Sequence, residues 1–342
     1  MKKYENKTAW VDVLAMRKTN RRRFSAGLSL GLAAAFASPH LIAQGNNQAV
    51  SLIVPLAPGG IADITARPFA IPLAKELNQA VIVENRIGAG GAVGMSYASK
   101  QKPDGNTLLL ALSSIVIIPE ADKIVGRPQS YTMNQFKPIA LLSADPTVLV
   151  VRANSPWKTV AELVRDAKDK PKTLSFSSSG IYGTTHVAQS MLWQAAGVDM
   201  LHVPYNGGGP SMMALLAGQV DITAQAPGTV AAHLKAGTVR LLGTWGAERL
   251  KAFPELRTFK EQGLDVEFYI WSGLFAPAGL PAAKLEQLRA AARRSAQDAS
   301  FVAAMQTMNT PIRYMEGAEL DQFLDQDQKR LAGVIRAMGK LE

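Results

Sequence analysis

Three glycine-rich turns, each between a short apolar run and a helical pattern, constrain this chain more than any other feature. They are Pro55-Leu56-Ala57-Pro58-Gly59-Gly60-Ile61-Ala62-Asp63, Phe176-Ser177-Ser178-Ser179-Gly180-Ile181-Tyr182-Gly183-Thr184-Thr185-His186 and Val203-Pro204-Tyr205-Asn206-Gly207-Gly208-Gly209-Pro210-Ser211. Short apolar runs alternating with helical periodicity specify an α/β class with largely parallel sheets. In open α/β sheets a ligand sits outside the carboxyl ends of the strands. Helix N-termini there present free N–H groups and a positive dipole end. Glycines let that backbone approach a ligand closely, and Ser and Thr hydroxyls add short donors. Each turn is therefore a candidate anion cradle that needs no formal charge. The same residues also serve plain turning and helix capping, so for any one loop both readings stand. Two cradles on one unit and one on another favour facing loops that close on a ligand.

The candidate contacts are Pro58, Gly59, Gly60 and Asp63 in the first turn and Ser178, Ser179, Thr184 and Thr185 in the second. Tyr205, Asn206 and Gly207 belong to the third, and Ser113 follows the apolar run 107–112. Asp63 suits the dipole of its helix and equally suits a ligand hydrogen bond. Asp221, after Gly218-Gln219-Val220, reads as a loop brace. Tyr182 and Tyr205 are placed to line an apolar ligand body, whereas Trp271 and Phe275 read as core.

The chain has 342 residues, enough for about two domains. Strands are expected at 50–55, 81–84, 107–112, 147–151, 173–177, 201–203, 220–223, 239–244 and 271–276. Helices are expected at 63–77, 92–102, 160–169, 186–196, 211–217, 282–296, 301–308 and 320–338. Pro68 and Pro72 must lie in the first turns of their helix or kink it. Residues 118–137 read as irregular. No low-complexity linker separates the two α/β units, which argues for lobes joined by hinge strands.

A formal charge of +10 first suggests a nucleic-acid or membrane-surface partner. Residues 1–44 hold eight basic and two acidic groups, a net +6 that leaves only +4 for the rest. Arg21-Arg22-Arg23 precedes an apolar stretch from Ala26 to Phe36, and small residues follow at Ala37 and Ala43. That order reads as a secretory signal of twin-arginine character, cleaved after Ala37 or Ala43. The expected product is exported and free of nucleic acid. With no cysteine it has no disulfide framework, no Cys-type zinc site, no thiol nucleophile and no lipidated cysteine anchor.

Catalytic and cofactor signals are weak. Gly88-Ala89-Gly90-Gly91-Ala92-Val93 lacks the third glycine of a dinucleotide fingerprint, and no Walker-type loop occurs. His186 is a candidate base beside Ser179 or Thr185, but its place also suits the filling of a first helical turn. His202 and His233 lack metal-ligand spacing, and no Gly-x-Ser-x-Gly elbow is present. No metal and no cofactor are expected.

The ordered series of motifs resembles the Bug family, the extracytoplasmic solute receptors of tripartite tricarboxylate transporters. It runs from Ile53-Val54-Pro55 and Pro58-Gly59-Gly60-x-x-Asp63 through Val83-Glu84-Asn85-Arg86 and Pro103-Asp104-Gly105. Ser179-Gly180 with His186, His202-Val203-Pro204-Tyr205, Leu216-x-Gly218-Gln219-Val220-Asp221 and Gly273-Leu274-Phe275-Ala276-Pro277-Ala278-Gly279 complete it. The resemblance implies a two-lobed Venus-flytrap periplasmic binding protein, each lobe a mainly parallel sheet flanked by helices. It implies a lobe of 45–147 plus 246–342, a second lobe of 148–245, and a monomeric, non-enzymatic receptor. Its ligand would be a small organic carboxylate, and its partners the membrane permease subunits. Gly59, Gly60 and Asp63 would meet the ligand from one side, and Ser178, Thr184, Thr185, Tyr205 and Gly207 from the other. Leu56, Ile61, Ile181-Tyr182 and Ile115-Val116-Ile117 depart from the family pattern and favour a carboxylate with an apolar or aromatic body. A sensor that signals through a receptor kinase and an exported hydrolase using His186 are the alternatives.

Overall fold

A computed structural model describes residues 48–340. The signal sequence and its cleavage sites lie outside the described residues.

Most of the short apolar runs become strands, and the amphipathic stretches between them become helices. In chain order the first elements are β1 (Val50–Val54), α1 (Ile61–Leu77), β2 (Val81–Asn85), α2 (Ala92–Ser99), β3 (Thr107–Leu112), α3 (Ser114–Ile124) and β4 (Phe136–Pro146). There follow β5 (Val148–Arg152), α4 (Val160–Asp169), β6 (Ser175–Ser178), α5 (Thr184–Ala196), β7 (Leu201–Pro204), α6 (Gly208–Leu216), β8 (Ile222–Gln225), α7 (Pro227–Lys235) and β9 (Val239–Thr244). The chain ends with β10 (Tyr269–Pro277), α8 (Ala282–Gln297), α9 (Ala299–Thr307), β11 (Ile312–Met315) and α10 (Gly317–Met338).

Two sheets result, in the orders β11-β4-β10-β3-β1-β2 and β7-β6-β8-β5-β9. The fold is α/β and two-lobed, but its sheets are mixed rather than mainly parallel. β1 pairs parallel with β2 and β3, while β10 runs antiparallel to both β3 and β4. In the second sheet β6 is parallel to β7 and β8, and β5 is antiparallel to β8 and β9. The reason lies in the crossings. β5 and β10 are the strands by which the chain enters each lobe from the other, so they run away from the cleft. The strands followed by helices run towards it.

The crossing itself is short. β4 passes to β5 through Thr147 alone, whose carbonyl accepts from Trp245 N (2.9 Å) and Thr244 Oγ1 (2.9 Å). Phe268 N donates to Trp245 O at 3.1 Å, so three segments are laced where the lobes join. The run Ser143-Ala144-Asp145-Pro146 does not interrupt the strand, since β4 continues through it with Ser143 paired to Ser272 and Asp145 to Ile270.

Local propensity is overruled at two places. Pro68 and Pro72 both lie inside α1, which continues through them, although an interior proline costs about 3 kcal/mol or more. The compensation is burial: Phe69 and Leu73 are fully buried, and the Phe69 ring packs edge-on to Phe301 at 5.2 Å. Residues 118–137 are not wholly irregular either. Ile115, Val116, Ile117 and Ile118 are buried in α3, so the apolar triplet is core and does not colour the cleft.

Candidate functional site

The site is built by helices that begin where parallel strands end. α1, α5, α6 and α7 each start without a side-chain cap on their first N–H groups. Those donors are left for water or a ligand. The chain brings these starts together from opposite lobes. Ala57 N donates to Asn206 O at 2.9 Å, joining the first glycine turn to the third. A methyl group on Gly209 would sit 2.4 Å from Pro58 O, and one on Gly180 would sit 2.6 Å from Gly90 Cα. Both glycines are thus required for close approach of backbone to backbone, and Gly180 also has φ +125°. Gly228 at the start of α7 lies against Ile61 and Thr310. The lobes are closed on one another, and the partial fingerprint at Gly88–Gly91 borders the cleft as a structural turn.

Within this frame several expected contact residues spend their polar atoms inside their own lobe. Asp63 is 4% exposed. Its Oδ2 accepts from Gly59 N (3.1 Å) and Arg67 Nε (3.0 Å), and its Oδ1 from Arg67 Nη2 (2.8 Å) and Asn85 Nδ2 (3.0 Å). Burial pushes its pKa up, but the hydrogen bonds of Arg67, Asn85 and Gly59 outweigh it and hold the carboxylate below its ordinary range. Of the two roles open to Asp63, the geometry favours the brace: it pins the first turn for others to use. Asp221 likewise braces its loop, accepting from Ser175 N at 2.9 Å and Ser175 Oγ at 2.8 Å.

The serine loop is equally self-contained. Ser178 Oγ lies 2.7 Å from His202 Nε2 and exchanges contacts with Gly180. Thr185 Oγ1 accepts from Ser179 N (2.7 Å) and donates to Ser179 Oγ (3.1 Å). Thr184 is buried at the start of α5, and Ser113 is buried at the end of β3 with its hydroxyl 3.5 Å from Tyr269 O. Pro58 and Gly59 stay exposed at the rim, with Gly60 and Gly207 buried behind them. Tyr205 donates its hydroxyl to Gln219 and packs on the second lobe's core. Tyr182 is buried against His186, so neither tyrosine is a free wall for a ligand.

His186 does not reach Ser179 or Thr185. Its Nδ1 accepts from Tyr182 N at 2.9 Å, and its ring stacks on His202 at 3.8 Å. Burial drives both imidazoles down, His202 to about 4, with the neighbouring His202 adding to the effect on His186. Ser178 and His202 have the spacing of a nucleophile–base pair, but a base held near 4 takes up a proton poorly at neutral pH. Trp271 and Phe275 are core as expected.

Sequence reasoning missed the polar residues on the crossing strands. Ser143, Asp145, Thr147 and Ser272 are all fully buried, and Gln225 of β8, paired with Val148 of β5, is nearly so. The available signal was a carboxylate inside the apolar run 140–151. Two surface hollows of about 940 and 760 Å³ contain none of the cradle residues, although the smaller is lined in part by Pro146 and Tyr269 of the crossing strands. Convergent helix starts, not hollow size, mark this site.

A cleft between two α/β lobes, laced by crossing strands and lined by helix N-termini, defines the class of two-lobed solute-binding receptors. The chain belongs to the tripartite tricarboxylate transporter family receptors (TctC), whose family model matches residues 65–340. It is 32% identical over 290 residues to a UPF0065 protein of Cupriavidus necator, covering 85% of this chain and 87% of the relative. Among solved structures it is similar to the periplasmic binding protein BugD (TM-score 0.79, 29% identity, 85% of this chain and 97% of that one). It is also similar to MatC from Rhodopseudomonas palustris with bound malate (0.77, 27%, 84% and 98%). The R. palustris protein Rpa4515 with adipate matches with a TM-score of 0.80, 25% identity and coverage of 86% and 98%.

Proposed function

We propose that this protein is a periplasmic receptor that captures a small organic carboxylate between its lobes and delivers it to the permease of a tripartite tricarboxylate-type transporter. One observation carries the reading: uncapped helix starts from opposite lobes meet across a closed cleft, with α1 facing α6 and α7. Backbone N–H groups and aligned dipoles stabilise a carboxylate there without a buried countercharge. Malate and adipate in the two R. palustris relatives support the same ligand class. The first lobe comprises 45–147 plus 246–342 and the second 148–245. Pro58, Gly59, Gly60, Asn206, Gly207, Thr184 and Thr185 line the carboxylate end, with Asp63, Ser178, Ser179, Tyr205 and Ser113 shaping it. The receptor acts as an exported monomer without enzymatic turnover.

The test is a thermal-shift and calorimetric screen of mono- and dicarboxylates against the purified protein. A ligand at 100 times its Kd stabilises the folded state by about 2.7 kcal/mol. A stoichiometry of one per chain is expected. Responses only to sugars or cations, and none to carboxylates, would overturn the reading. Permease genes beside this one would separate transport from signalling.

A further inference from the structure

On the strands that cross between the lobes, one face of the first sheet carries polar side chains with nothing to bond. Ser143 and Asp145 are alternate residues of β4 and share a face. Ser272 pairs opposite Ser143 on β10 and belongs to that face too, while Thr147 follows at the crossing. All four are 0% exposed. Among the described residues, neither oxygen of Asp145 has a well-formed hydrogen-bond partner, nor do the hydroxyls of Ser143, Thr147 and Ser272. The opposite face is satisfied, since Trp271 Nε1 donates to Asp327 of α10 at 2.7 Å.

Buried polar atoms are nearly always bonded, and a cluster that is not calls for an occupant. The cluster lies where the chain crosses between the lobes. Ser143 of β4 is level with Leu112, the carboxyl end of β3, through Ser272 of β10, and β4 runs on past that level to Pro146. Val148, next after Thr147, pairs with Gln225, from which α7 starts two residues on. Gln225 Nε2 also donates to Gly208 O at 3.0 Å, so the starts of α6 and α7 are tied to the crossing beside the cluster.

Burial raises the Asp145 carboxyl to about 8 and outweighs the opposing effect of the nearby Ser143 hydroxyl, which does not form a well-aligned hydrogen bond. No charged side chain contributes to its ionisation among the described residues. Those on neighbouring elements are engaged elsewhere: Asp63 with Arg67 on α1, Arg249 with Glu261 before β10, Arg313 of β11 over the Phe323 ring, and Asp327 with Arg330 behind the sheet. The hydroxyl of Tyr269, on β10, accepts from Ala247 N. A buried carboxyl is stable as an ion only when paired. With no cationic side chain acting on Asp145 among the described residues, a pairing cation has to arrive with the ligand.

We propose that Asp145, supported by Ser143, Thr147 and Ser272, is the specificity-determining far end of the ligand site and binds a protonated amine. The ligand class is then an aminocarboxylate, its carboxylate on the helix starts and its ammonium on Asp145. This sharpens the apolar-bodied carboxylate expected from the cradle loops, and it rests on the carboxylate-receptor reading. Binding transfers no covalent bond; Asp145 releases one proton to solvent and takes up the ammonium.

The test uses length-matched probes: 4-aminobutyrate and 5-aminovalerate against glutarate and adipate, and against butyrate and valerate. Stabilisation by the amino acids and not by the others is expected. Stabilisation by the dicarboxylates alone overturns this inference and leaves the carboxylate reading standing; no response from any probe counts against both. Affinity for the aminocarboxylate should tighten about tenfold per pH unit from 6 to 7.5, because one proton is released. A flat profile overturns the assignment. Asp145→Asn should weaken that ligand at least 100-fold, and Ser272→Ala about fivefold. An Asp145→Asn protein that binds as tightly as the parent would refute the role of the carboxylate.

Discussion

The serine loop after β6 and the crossing strands β4 and β10 are both rich in hydroxyls, yet they use them in opposite ways. In the loop, Ser178 bonds His202 and Gly180, and Ser179 bonds Thr185 twice over. On the strands, the side chains of Ser143, Thr147, Ser272 and Asp145 have no well-formed hydrogen-bond partner among the described residues. A loop that looks like a binding site by composition has thus spent its side chains on its own shape. What it offers a ligand is its backbone. The strands look like core by composition and hold the side chains that are free to recognise something. Rigid donors come from the satisfied region and chemical choice from the unsatisfied one.

The largest effect that would sharpen this contrast is on stability. Asp145 is protonated in the folded protein up to pH about 8 but ionises near 4 when unfolded. Its contribution is full below pH 4 and is lost as pH rises to 8, at about 1.4 kcal/mol per unit. Asp145→Asn removes that loss, so the ligand-free variant should be more stable than the parent by about 2–4 kcal/mol at pH 7. Urea unfolding at pH 5 and pH 7 checks this. A variant less stable than the parent at pH 7 would mean that the carboxyl has a partner in the empty protein.

Closure comes next. Gly209→Ala places a methyl group 2.4 Å from Pro58 O, although alanine suits the helix itself. Ligand affinity should fall by tenfold or more while the unliganded melting temperature moves by no more than about 2 °C. Unchanged affinity would show that the glycine turns need not meet for binding.

The smallest effect concerns the stacked imidazoles of the satisfied region. His186 and His202 are held neutral by burial, so the unfolded chain takes up protons first as pH falls. Their stabilisation is complete above pH 6.5 and declines below it, His202's until about 4, by up to about 1.4 kcal/mol per unit for each ring. This slope opposes that of Asp145. His202→Gln should flatten the acid limb, and NMR titration should find both rings neutral at pH 5.5. A ring that titrates near 6.5 would show that the loop opens in solution.

Much of the architecture is legible in the residues. The glycine turns fall between strands and helices as their φ demands and dipole logic require, and Asp221 braces its loop as its position suggests. Trp271 and Phe275 are core. What local reasoning misplaces has one cause: distant burial outweighs local preference. It carries α1 through Pro68 and Pro72, turns Ile115–Ile118 into core helix, and packs Tyr205 on its own lobe. β11 carries too little periodicity in Ile312–Met315 to be seen without its partner β4.

By itself the sequence determined the alternation of strands and helices, with the starts of α1, α5 and α6 placed within three residues, and which glycine turns join them. These follow from φ/ψ limits and hydrophobic period, which act within a few residues. Only the tertiary structure decided which polar groups remain open. Ser178 is satisfied by His202, whereas the Ser143 hydroxyl finds no well-formed partner among the described residues, and such pairings arise between residues far apart in the chain. It also decided the sheet directions, because a strand that enters a lobe from its neighbour must run away from the cleft that both lobes share.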